Sequence, residues 1–240
     1  MILGTLAPLA LRSVIAMVAV NTSYPPTRSF QPRRRALPPA RAQRYERLMA
    51  RWSLSVEGDM LRFKELFPST DAVVLDIGFG GGEGLIELAA ARPHEAIIGL
   101  DVHTPGVAFV VEAIEDNGWQ HVRVTEGDVL ELLPRIPRDS LAGVRLYFPD
   151  PWPKQKQRHR RLARRDVVTQ LVDRLSIGGT LHVATDIADY AAQTLTVCAA
   201  EQRLCGGVIP RPEWRPVTRF ERRGLSAGRE PIDMIFERTH

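Results

Sequence analysis

The sequence predicts an α/β fold, a mostly parallel twisted sheet with helices on both faces, and three observations carry that expectation. Short β-branched runs alternate with helical stretches after Asp71. One of those runs leads straight into a glycine-rich turn beginning at Gly78. The chain has 240 residues, 44% hydrophobic and 25% charged, which is ordinary globular composition and excludes disorder, collagen-like repeats and a polytopic membrane protein. Strand–helix alternation over this length means βαβ units.

The elements follow in order. Residues 1–20 are almost wholly apolar, but Arg12 interrupts them and no basic cluster precedes them. The apolar runs left on either side of Arg12 are too short to span a bilayer and lack the pattern expected of a secretory leader, and Met17 is a candidate start. Residues 22–39 are rich in Pro, Ser and Arg without periodicity and read as an extended arm. Helical patterning begins near Arg41 and runs through Leu48, Trp52 and Leu54. Strand and helix then alternate: Ala72–Ile77 and Glu83–Ala91; Ala96–Leu100 and Pro105–Asn117; Val122–Glu126; Gly143–Phe148 and Asp166–Leu175; Thr180–Thr185 and Ala188–Gln202. Ile232–Glu237 is one further strand candidate. The organisation expected is an extension over 1–27, a basic arm and leading helix over 28–70, and the α/β domain over 71–240.

Two cysteines, Cys198 and Cys205, have no partner pair and no histidine at metal spacing, so we expect a reduced, cytoplasmic protein with no metal. Net charge is only +4, but it is unevenly spread. Residues 28–51, 154–165 and 211–229 together hold 21 basic and 3 acidic side chains, leaving 11 basic and 25 acidic elsewhere. An acidic body wearing three basic segments suits a polyanionic partner.

The glycine turn reads Gly78-Phe79-Gly80-Gly81-Gly82-Glu83-Gly84. Glycines there let the backbone take positive φ and approach a ligand at the carboxyl edge of the sheet. Glu83 stands where a dinucleotide site needs its third glycine. Asp76 and Glu83 beside the turn disfavour a pyrophosphate and welcome a cofactor carrying an amine and a sulfonium, hence S-adenosylmethionine rather than a nicotinamide dinucleotide. Alternatively, Asp76 only caps the turn. Asp101 closes the second strand, where a carboxylate accepts ribose hydroxyls. Asp128 follows the third and is placed either to accept from an adenine amino group or to N-cap a helix over 129–133.

The fourth strand ends in Phe148-Pro149-Asp150-Pro151-Trp152-Pro153-Lys154. Its three prolines forbid helix and hold Asp150 outside the sheet edge, where a catalytic or base-reading carboxylate belongs. Lys156-Gln157-Arg158-His159-Arg160-Arg161 follows directly, either a solvated face or, from its place beside Asp150, a phosphate clamp. Asp186 is both a site candidate and a candidate N-cap for the helix near Ala188, while His103 and His182 read as structural.

These motifs, with Gly99–His103, Ala184-Thr185-Asp186 and the run Arg215–Gly224, occur in the order found in tRNA (guanine-N7)-methyltransferases, which the chain resembles from about Arg28 to its last strand. The resemblance implies a Rossmann-like class I methyltransferase domain, S-adenosylmethionine, and methylation of guanine N7 at position 46 of the tRNA variable loop by a monomer or homodimer. It implies cofactor contacts at Asp76, Gly78, Gly80, Gly82, Asp101, Asp128 and Asp150, with Asp150 also catalytic. Lys154, Asp186, Thr218, Arg219, Phe220 and Glu221 match substrate-contacting positions, and Lys156, Arg158, His159, Arg160 and Arg161 match an RNA-contacting stretch. Asp76 and Asp101 stand where the family often has Glu, which shortens their reach, and position 157 lacks the usual histidine. A non-catalytic RNA-binding module and a nicotinamide-dependent oxidoreductase are the competing readings; the intact strand-end acids argue against the first and Glu83 against the second.

Overall fold

The computed structural model describes residues 36–240, so the 1–27 extension and the arm's Arg28 and Arg33 to Arg35 lie outside the described residues. Seven strands form one sheet in the order β3-β2-β1-β4-β5-β7-β6. The strands are β1 (Val73–Ile77), β2 (Ala96–Asp101), β3 (Val122–Glu126), β4 (Leu141–Tyr147), β5 (Leu175–Thr185), β6 (Leu204–Ile209) and β7 (Ile232–Arg238). β1 through β5 pair in parallel, and β7 lies antiparallel between β5 and β6. Every residue of β1 and β2 is buried, as strands covered on both faces require.

Side-chain alternation divides the core into two layers. On one face, Ile97, Val122 and Val124 pack with Leu48 and Trp52 of α1 (Pro39–Trp52), Leu85 and Leu88 of α3 (Glu83–Ala91), and Val107 and Val111 of α4 (Thr104–Asn117). On the other, Leu75, Ile98 and Val144 pack with α5 (Val129–Leu132), α6 (Arg165–Val172) and α7 (Ala188–Ala199). A short α2 spans Phe63–Leu66. The chain winds outward from β1 to β3 and then returns to place β4 on β1's other side. That reversal opens a crevice at the carboxyl ends of β1 and β4, where folds of this kind bind ligands.

Several expectations change. The helix expected over 166–175 ends at Val172, because Leu175 already pairs with Leu141 as the start of β5. Leu54 is extended rather than helical; its amide donates to the Val124 carbonyl at 2.8 Å. β6 and α8 (Arg219–Ser226) were not expected. Three arginines of the leading helix form ion pairs across its surface with α4: Arg41 with Glu112, Arg44 with Asp116 and Arg51 with Glu115. These pairs tie α1 to an acidic helix while the guanidinium groups of Arg44 and Arg51 stay exposed.

Candidate active site

The glycine turn after β1 takes the conformation that its sequence demands. Gly78, Gly80 and Gly82 have φ of 76°, 65° and 93°, a region that L side chains enter only at a cost. A methyl on Gly106 would meet the Gly80 carbonyl at 1.8 Å, so the start of α4 seats against the turn only because position 106 carries no side chain. Asp101 braces the turn from β2, its Oδ2 accepting from the Gly80 amide at 2.6 Å and its Oδ1 from the His103 amide at 2.7 Å. Burial pushes the Asp101 carboxyl up, and those two amides work against it. A carboxylate has about four lone-pair positions, so Asp101 retains acceptor capacity toward a ligand.

Asp76 lies beneath the turn. Burial, opposed by Arg145 and reinforced by Asp101, pushes its carboxyl up to about 6. Together with Gly78, Phe79, Tyr147, Thr218 and Phe220 it lines a cavity at the crevice. A methyl on Gly78 would meet nothing within 4 Å, so the turn leaves open space there. A partly desolvated carboxylate, a second with spare acceptor sites and an open glycine turn fit a cationic nucleoside such as S-adenosylmethionine. Asp128 N-caps α5, accepting from the Leu130 amide at 3.1 Å.

The end of β4 is tightly shaped. Phe148 and Trp152 take φ of 50° and 40°, placing left-handed backbone on both sides of Asp150. Trp152 is buried, while Asp150 is half-buried. The basic run forms a 3-10 turn over Gln155–Arg160; Lys156, Arg158 and His159 on it, and Lys154 just before it, are exposed. Arg158 pairs with Asp189, and the Arg160 guanidinium lies 4.9 Å from the centre of the Trp152 ring. Arg161 departs from the expected RNA-facing set: its side chain is fully buried and has no surface to offer a phosphate.

The segment 215–221 closes the crevice from the far side. The Phe220 ring lies against Gly80, and Thr218 N-caps α8 through a bond from the Glu221 amide at 3.1 Å. Arg219 reaches Glu83 at 3.5 Å. Glu221, matched to a substrate-contacting position, is 2% exposed and accepts from Arg215 at 2.7 and 2.9 Å and from Arg211 at 2.7 Å, so its charge is spent on these two guanidinium groups. Burial works against its charge, but the two guanidinium groups hold it below the usual carboxylate range. Arg215 also donates to Asp233 of β7 at 3.0 Å. Asp233 accepts from His182 Nε2 at 2.8 Å, and His182 Nδ1 accepts from the Tyr147 hydroxyl at 2.9 Å. Burial lowers the His182 pKa and so favours the neutral ring, and the Asp233 carboxylate, which can only accept, places its proton on Nε2. Composition flagged none of this network; the T-x-x-E spacing of Thr218 and Glu221, a helix-start signature, was the available signal for α8.

Asp186 does not cap α7, whose N-cap is Ile187. It pairs instead with Arg229 at 2.8 Å and sits where a methyl on Gly224 would stand 2.5 Å from its Oδ2, joining β5 to α8.

Residues 70–234 match a family model described as a putative methyltransferase. The chain is 42% identical over 218 residues to a tRNA (guanine-N(7)-)-methyltransferase of Streptomyces avermitilis, covering 88% of this chain and 75% of that one. It is 37% identical over 222 residues to a protein of the same description from Nitrosomonas eutropha, covering 91% and 99%. Among solved structures, a 30S ribosomal A1408 methyltransferase from an uncultured bacterium superposes with a TM-score of 0.55 at 12% identity, covering 78% of this chain and 99% of that one. At that identity the likeness speaks to the fold alone.

Proposed function

The chain belongs to the family of tRNA (guanine-N(7)-)-methyltransferases, and from that premise we propose that it methylates N7 of a guanine in the tRNA variable loop, with Asp150 holding the base. The observation that carries this reading is the convergence of Asp76, Gly78, Thr218 and Phe220 on one cavity beside the turn that Asp101 braces. S-adenosylmethionine, when bound, supplies an electrophilic methyl group on a sulfonium.

Guanine N7 carries a lone pair and no proton, so the chain needs no general base to expose the nucleophile. Its contribution is to hold two reactants in line, a source of large rate gains. Asp76 faces the cofactor's cationic end, Asp101 accepts its ribose hydroxyls and Asp128 its adenine amino group. Asp150 accepts from guanine N1–H and N2–H, selects guanine over adenine, and stabilises the positive charge that N7 methylation leaves on the ring. The Asp186 side chain, already paired with Arg229, is available to a second base edge. Lys154, Lys156, Arg158 and His159 stand exposed directly after the Asp150 loop and meet the flanking phosphates. Among the described residues no helix is long and apolar enough to cross a membrane, and both cysteines are free thiols, in keeping with a cytoplasmic setting.

The test is incubation with bulk unmodified tRNA and methyl-labelled S-adenosylmethionine, followed by nucleoside analysis. Label in 7-methylguanosine is expected, and it should be lost from a transcript whose variable-loop guanine is replaced. Label on another base, or on protein alone, rejects the reading.

A further inference from the structure

Arg161 is the last residue of the basic run, and its chemistry differs from that of its neighbours. Its Nε donates to the Pro151 carbonyl at 2.8 Å, and one Nη donates to Gln193 Oε1 at 2.8 Å. The other Nη donates to Asp189 Oδ2 at 2.7 Å and lies 3.5 Å from the Trp152 carbonyl. Its guanidinium also lies 5.1 Å from the centre of the Tyr190 ring. Asp189, Tyr190 and Gln193 all belong to α7. One buried cation therefore joins two consecutive carbonyls of the loop after β4 to one face of a packed helix.

The loop needs such a hold. Phe148 and Trp152 both occupy left-handed backbone, a conformation that is costly for an L residue and persists where the surroundings enforce it. Pro149, Pro151 and Pro153 have no amide to donate, so those three positions cannot fix the loop's shape through backbone N–H bonds. Two of its consecutive carbonyls, those of Pro151 and Trp152, accept from Arg161. A planar guanidinium with donors in a fixed fork can serve four acceptors at once, which an ammonium on a flexible stem cannot.

We infer that Arg161 is a positioning residue for methyl transfer: anchored by Asp189 and Gln193 on α7, it clamps the Pro151 and Trp152 carbonyls and thereby fixes where Asp150 stands. It touches neither substrate nor cofactor. The inference rests on the Asp150 reading only for its kinetic consequence; the clamp itself is read from the loop.

The experiment compares full-length wild type with Arg161→Lys, which keeps the charge and loses the fork. Three quantities are measured: amide hydrogen exchange across residues 148–156, kcat and KM on tRNA, and the salt dependence of tRNA binding. Faster exchange confined to 148–156 is expected, with kcat down by about 100-fold, the scale of an ångström-sized misplacement. KM and salt slope should be unchanged. Faster local exchange with normal kcat upholds the clamp and removes Asp150 from its assigned role. Unchanged exchange overturns the clamp whatever the kinetics show, and a salt slope reduced by roughly 0.7–0.9 would make Arg161 a phosphate contact instead. Should Arg161→Lys not fold, Gln193→Ala, at a half-buried position of α7, removes one of the clamp's two anchors without touching Arg158 and is read in the same way.

Discussion

Phe220 lies across Gly80: a methyl group built on Gly80 would stand 3.2 Å from the ring. Because Gly80 has φ of 65°, Gly80→Ala combines a left-handed backbone cost of roughly 1–2 kcal/mol with displacement of that ring. We expect S-adenosylmethionine to bind about tenfold more weakly, measured by calorimetry. Unchanged affinity would mean that the turn and Phe220 do not jointly shape the cofactor site.

The Asp76 carboxyl titrates at about 6 in the unliganded chain, and a cationic ligand binds its ionised form. Cofactor affinity should therefore fall as pH is lowered through 6, with proton release on binding near that pH. Asp76→Asn should bind weakly with a flat profile between pH 5 and 8. The same shift has a stability side. Raised from 3.8, the group favours the folded state below about pH 4 and loses that contribution as pH rises through 6. Asp76→Asn should accordingly raise Tm at pH 8, checked by thermal unfolding across pH.

Glu221→Ala leaves the buried Arg215 guanidinium without its main partner. Breaking a buried pair in this way costs about 3–5 kcal/mol, so Tm should drop markedly. A normal Tm with a raised KM for tRNA would return Glu221 to the substrate-contacting set.

Asp150→Ala should abolish turnover while Tm stays near wild type, since a half-buried loop carboxylate supports no part of the core. Single-turnover assays with saturating tRNA check this, and near-normal rates would reject the role proposed for it.

Lys154 and Lys156 are exposed beside that loop. Replacing both with Ala should flatten the salt dependence of tRNA binding by roughly 1.4–1.8 in log–log slope and leave cofactor affinity unchanged. Titrations across a salt series decide the matter; an unchanged slope would move the phosphate contacts to the exposed Arg222 and Arg223 of α8.

The sheet was legible because β1 to β5 are apolar runs separated by helical periods, and a half-turn of pattern is enough to place each. β6 was not, since Gly206 and Gly207 interrupt it and Cys205 and Val208 point to solvent at the sheet's edge. At the site, residue type located the acids and the glycine turn, because carboxylates at strand ends and glycines at positive φ are local requirements. It did not separate Arg161 from Arg158, or Glu221 from Asp186. Burial decides those, and it depends on α7 and β7 arriving from distant parts of the chain.

β7 is made last yet stands between β5 and β6, and its Asp233 receives both His182 and Arg215. During translation the glycine turn, the Asp150 loop and the exposed lysines all leave the ribosome before that strand does. Until residues 232–238 emerge, the Arg215–Glu221 pair has no Asp233 to tie it to the sheet, and the segment carrying Thr218 and Phe220 lacks that seat over the turn. A nascent chain can thus display basic surface while lacking a closed site, so competence for methyl transfer arrives with the final strand and a chain clipped before Asp233 should fail even with every crevice-lining residue present.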